Sequence, residues 1–103
     1  MIDRFHFVRL DEPHATVAGR AEIVASARAA LGDLDGVVDV AAGVPADESA
    51  ASWDVCVTVR CRDLAAWRAC AETARYRELL EWIGERALVI KSWGFAIAGE
   101  PQA

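Results

Sequence analysis

Hydrophobic and polar positions alternate most cleanly between Trp53 and Arg62. Val55, Val57, Val59 and Cys61 hold one parity, and Asp54, Cys56, Thr58, Arg60 and Arg62 hold the other. Successive strand residues point to opposite faces, so this run predicts a strand with an apolar face against helices and a polar face opposite. Residues 2–10 alternate too. Ile2, Arg4, His6, Val8 and Leu10 share one face, and Asp3, Phe5, Phe7 and Arg9 share the other. Both faces carry large apolar groups, so both are expected to be covered. A strand from Val37 to Gly43 follows the Asp35-Gly36 turn. Another over 87–97 sets Leu88, Ile90 and Ser92 against Val89, Lys91 and Trp93.

Between these runs the period becomes helical. Val17, Ala21, Val24, Ala27 and Leu31 recur on one stripe, widened by Ile23, Ala30 and Leu34. Thr16 is placed to cap that helix and Gly32 to end it in a left-handed turn. Asp63 caps a short helix over about 64–72. Tyr76, Leu79, Leu80 and Ile83 then mark a second helical piece that stops at Gly84. Residues 44–52 read as a polar loop. The order is β-α-β-β-α-β, and two right-handed crossovers over one antiparallel sheet make a ferredoxin-like α+β fold. Residues 1–98 form one domain on this reading, and 99–103 a flexible tail. The helices cover one sheet face, which leaves Phe5, Phe7 and Val89 on the other. An apolar patch of that kind predicts a homodimer joined sheet to sheet.

Composition narrows the partners. The net charge of −5 and the scattered arginines provide no basic face, which argues against nucleic acid and acidic membranes. No run approaches the roughly 18 apolar residues of a membrane helix. The start lacks a basic segment leading into an apolar one, which points to the cytoplasm. Cys56, Cys61 and Cys70 are odd in number and contain no C-x-x-C pair, which suggests reduced thiols. Two histidines without ligand spacing argue against a metal site. No Gly-rich phosphate loop or redox-cofactor fingerprint occurs, so a cofactor-independent protein is expected.

In their order and spacing, several segments resemble the stress-responsive dimeric A/B-barrel family. They are Arg-Phe-His-Phe-Val-Arg-Leu in the first strand, Asp35-Gly36-Val37-Val38 leading to Gly43, and Ser52-Trp53-Asp54. Asp63-Leu64, Ala74-Arg75-Tyr76 and the closing Ala-Leu-Val-Ile-Lys-Ser-Trp complete the set. The resemblance spans about residues 2–95. It implies a homodimer whose two sheets share a barrel. It also implies kinship with cofactor-free enzymes, polyketide cyclases of the olivetolic acid type among them, and with non-catalytic stress proteins. In the enzymes a pocket lies between helices and sheet, with a histidine early in the first strand and another in a His-Pro-Ala-His stretch. Here Arg4 stands at the first place, with His6 two residues on. Arg75 closes Glu72-Thr73-Ala74-Arg75 at the second. Ala27 and Ala69 stand about where the cyclase has pocket tyrosines, which implies a roomier pocket.

The candidate site follows. His6 is a candidate general base, or else a hydrogen-bonded strand histidine. Arg75 and Arg4 are candidate anion holders for a carboxylate, thioester carbonyl or enolate, or else structural partners of Glu72, Glu78 or Asp3. Tyr76 is a candidate proton donor, or else a core residue with a wet hydroxyl. The resemblance adds Val8, Ile23, Ala27, Val57, Val59 and Ala69 as pocket-lining residues beside Arg4. The function expected is a cofactor-independent enzyme or binding protein for a small carbonyl-bearing, anionic or polyketide-like molecule. The alternative is a non-catalytic stress-responsive oligomer.

Overall fold

The computed structural model describes residues 1–99. Four strands, β1 (Ile2–Leu10), β2 (Val37–Gly43), β3 (Val55–Cys61) and β4 (Ala87–Ala96), form one antiparallel sheet in the order β2-β3-β1-β4. Three helices, α1 (Val17–Leu31), α2 (Leu64–Ala71) and α3 (Ala74–Gly84), connect them, with a single 3₁₀ turn at Glu48–Ala50 in the loop before β3. Each crossover skips one strand: α1 carries the chain from β1 past β3 to β2, and α2–α3 carry it from β3 past β1 to β4. The fold is ferredoxin-like, as the element order predicts. The tail expected from residue 99 lies, beyond Gly99, outside the described residues.

Local chemistry sets the element ends. Thr16 and Asp63 cap α1 and α2 through side-chain oxygens that accept from the N–H groups of Gly19 and Ala66. The helical region after β3 is two helices because Thr73 interrupts it. Its backbone is extended, its hydroxyl donates to the Cys70 carbonyl at 2.7 Å, and its Oγ1 accepts from the Tyr76 N–H at 3.2 Å. One side chain thereby ends α2 and caps α3. Gly32 is not the left-handed cap that the sequence suggests, because its φ is −63°. The left-handed residue between α1 and β2 is Gly36, with φ +85°, where a Cβ would lie 2.8 Å from the Ala66 Cβ.

The core lies between the helices and one sheet face. Val8, Leu10, Val55, Val57, Val59 and Cys61 meet Ile23, Ala27, Leu31, Cys70, Tyr76, Leu79 and Ile83 there. Burying each large aliphatic side chain stabilises the fold by about 1.5–3 kcal/mol. Two parity expectations fail for identifiable reasons. Val17 is 85% exposed, because the stripe that packs runs through Ile23, Ala27 and Leu31 and leaves the first turn outside. Leu88 is exposed because the β1–β4 register shifts between Arg9 and Leu10, which pairs Leu10 with Ala87 and turns Ala87 toward the core.

The other sheet face carries aromatic rings in contact. Phe7 lies 5.6 Å from Trp53 and 5.8 Å from Trp93, and Phe5 lies 5.7 Å from Phe95. Trp93 and Phe95 are about half exposed. Asp3 and Arg60, paired in the register, form a two-pronged ion pair on the same face.

Candidate active site

Parity sends Arg4 and His6 into the helix-covered side, and register decides what they meet there. His6 on β1 faces Ser92 on β4, and Arg4 faces Gly94. The His6 ring is buried, with Nδ1 2.6 Å from Ser92 Oγ and Nε2 3.1 Å from the Tyr76 hydroxyl. Tyr76 reaches it from the first turn of α3, which the Thr73 cap starts. Ser92, His6 and Tyr76 therefore form one hydrogen-bonded chain across three elements. With Nδ1 protonated, His6 donates to Ser92 and accepts from Tyr76; in the other tautomer both bonds reverse.

Trp67 of α2 closes the cluster. Its ring lies edge to face with Tyr76 at 5.2 Å and 6.4 Å from the His6 ring. The Arg4 guanidinium stacks over it at 5.3 Å. Gly94 lies beside it, where a Cβ would come to contact distance of Arg4 Nη1, 3.4 Å. Arg4 Nε is buried and has no hydrogen-bond partner.

The surroundings favour the neutral form of each titrating group. Burial, helped by the nearby Arg4 charge, pulls the His6 pKa down from 6.5 to about 4. Burial pushes the Tyr76 phenol up to about 12, against the opposing pull of Arg4. At neutral pH the pair is an uncharged imidazole and an intact phenol. Burial also raises the thiols of Cys61 and Cys70, which face the same core. Among the described residues no cluster of three or more His, Cys, Asp or Glu side chains is placed to hold a metal.

A cleft of about 330 Å³ opens beside this cluster, lined by Ile2, Arg4, Leu64, Trp67, Gly94, Phe95 and Ala96; His6, Tyr76 and Ser92 do not border it. It lies between the start of α2 and the Ile2 end of β1.

Several residues expected in the site are elsewhere. Arg75 does not join Arg4 and His6. It points outward from α3, pairs with Asp33 and borders an open groove with Ser26, Ala30 and Trp82. The helical turn that sets Tyr76 inward sets its neighbour outward. Ala69 is exposed for a similar reason, since α2 turns Ala66 and Cys70 inward instead. Val8, Ile23, Ala27, Val57 and Val59 are core residues, none more than 2% exposed, and none borders the cleft. Their apolar periodicity reports packing. Ser92 and Trp67 belong to the cluster without having been singled out. Ser92 shares a face with Ile90 in the sequence pattern, but its contact with His6 depends on the strand register.

No protein-family model matches this chain. No curated protein matches it either. Solved structures do. A hydroxynitrile lyase from Passiflora edulis superposes with a TM-score of 0.81 at 10% identity, over 96% of this chain and 94% of that one. A putative antibiotic biosynthesis monooxygenase from Deinococcus radiodurans gives 0.77 at 10% identity, over 100% and 98%. A dimeric ferredoxin-like protein of unknown function from Thermobifida fusca gives 0.75 at 18% identity, over 93% and 90%. At such identities the likeness speaks for the fold alone, and the fold it gives is ferredoxin-like.

Proposed function

We propose that the protein is a cofactor-independent enzyme for a small carbonyl-bearing molecule, working as a homodimer, with Tyr76 and His6 as its proton-transfer pair. The observation that carries this reading is the buried chain from Ser92 through neutral His6 to Tyr76. A proton leaving the carbon next to a substrate carbonyl passes to Tyr76 Oη as the phenolic proton moves to His6 Nε2. Ser92 accepts from Nδ1–H and holds the ring in the tautomer that this transfer needs. Before charge develops on the substrate His6 is a weak base. The negative charge that forms on the substrate stabilises the imidazolium, so the base strengthens as the reaction proceeds. The most concrete version is aldol-type ring closure of a polyketide-like chain. That similar folds bear the names of a lyase and a putative monooxygenase supports small-molecule chemistry.

The dimer reading rests on Phe5, Phe7, Trp93 and Phe95, whose rings make a continuous apolar surface on the face without helices. Similar structures are described as dimeric. Two such faces pressed together close a dimeric α+β barrel. A stress-responsive assembly without catalysis is the second reading. It is favoured by the burial of His6, which is 3% exposed.

Solvent deuterium exchange at the α-carbon of β-keto acids, followed by proton NMR, tests the enzymatic reading. Exchange above the buffer rate is expected from the wild type and from Arg75→Ala, and exchange at the buffer rate from Tyr76→Phe and His6→Gln. Wild-type exchange no faster than buffer, or undiminished exchange in His6→Gln, overturns it.

A further inference from the structure

Arg4 is a charged group turned into the helix side of the sheet next to His6, and its electrostatics are incomplete. Its sequence neighbour Asp3 faces the opposite side and is taken by Arg60. Among the described residues no carboxylate forms an ion pair with Arg4. Stacking over Trp67 covers the face of the guanidinium and the Tyr76 hydroxyl lies against its edge, but Nε–H donates to nothing. Arg4 is half-buried, and a cation drawn partly out of water is retained when something pairs with it. Facing Arg4 and His6 are Tyr76 from α3 and Ser92 from β4, both uncharged at neutral pH. The cluster therefore carries one uncompensated positive charge inside a protein whose net charge is −5.

The cleft at that spot has the matching shape. Apart from Arg4, the lining is apolar: Ile2, Leu64, Trp67, Gly94, Phe95 and Ala96. At about 330 Å³ it lies at the small end of ligand sites, which run from about 300 to 1,000 Å³. We propose that this cleft is an anion subsite for a small monocarboxylate with an apolar tail, its carboxylate held by the edge of Arg4 and its tail against Ile2 and Leu64. Nε and one Nη match the two oxygens of a carboxylate in a fork. Nε is shielded, so the fork forms once the Arg4 side chain turns that edge into the cleft. A carboxylate there acts on His6 through the Arg4 charge and not by contact, since the His6 ring does not border the cleft. Its charge offsets the Arg4 charge that helps keep the imidazole a weak base, so the substrate itself raises the basicity of the residue that acts on it. This inference deepens the enzymatic reading by giving the substrate an acid group, and it rests on that reading for the role of His6.

The test is binding of octanoate and of octanol to the full chain by calorimetry, with histidine ring nitrogens followed by NMR. Octanoate is expected to bind at least about tenfold more tightly than octanol, at one per chain, and to raise the His6 pKa. Arg4→Met should erase that preference. Leu64→Trp, at an exposed position that fills the cleft without touching the core, should block both ligands even if Arg4→Met fails to fold. Equal binding of octanoate and octanol, no octanoate binding, or a preference that survives Arg4→Met overturns the proposal, as does tight binding in Leu64→Trp. His6→Gln should keep the octanoate preference. Carboxylate binding without deuterium exchange would thus remove the enzymatic reading and leave the subsite. Exchange without carboxylate selectivity would do the reverse.

Discussion

Acidification should destabilise the protein through His6 before most carboxylates titrate. In the unfolded chain the imidazole takes its proton near 6.5, whereas in the fold it stays neutral down to about 4. Between those values the unfolded state binds more protons, so stability rises with pH across the window and falls as acid is added. The full displacement corresponds to about 3 kcal/mol favouring the neutral form. The part lost between about pH 7 and about pH 4.5 is about 2.5 kcal/mol, a large share of a small domain's stability. The cause is physical: a protonated ring would stand buried next to the Arg4 guanidinium, with only Ser92 and Tyr76 as partners. Urea unfolding at fixed protein concentration, repeated across that range, measures the loss. His6→Gln supplies the reference, because it keeps a polar side chain that does not titrate. The wild type should lose about 2.5 kcal/mol more than His6→Gln over the window. Parallel stability curves for the two proteins would refute the assignment of a buried, neutral imidazole.

Two further outcomes are expected. Phe7→Asp places a carboxylate among Phe5, Trp53 and Trp93 on the open sheet face. Light scattering should show twice the 11.1 kDa chain mass for the wild type and the single mass for the variant, and a single-chain wild type would end the dimer reading. Gly36→Ala puts a side chain at φ +85° and a Cβ 2.8 Å from that of Ala66. It should lower stability by about 1–3 kcal/mol in the same urea assay, and an unchanged midpoint would mean that the turn relaxes without cost.

The sequence by itself determined the elements and their faces. Strict alternation in Val55–Cys61 and the shared parity of Ile2, His6, Val8 and Leu10 follow from the strand period, and any fold that buries one sheet face must respect it. Caps at Thr16 and Asp63 are equally local, because a side-chain oxygen and an N–H three residues on suffice to make them. Parity thus put Arg4 and His6 on one face with Val8 and Leu10, and the family resemblance implied that this face lies beneath the helices. Neither said what waits there. That Ser92 meets His6 and Gly94 meets Arg4 is a matter of register between strands about 90 residues apart in the chain, set by the whole sheet and by the shift at Arg9/Leu10. That Tyr76 turns inward while Arg75 reaches Asp33 depends on where Thr73 breaks the helix and on how α3 sits over β1. The core positions read as a pocket, Val8, Ile23, Ala27, Val57 and Val59, carry the same apolar signal whether they line a space or fill it. Only packing in three dimensions decides between the two, and here it fills the space and leaves the opening at the Arg4 end.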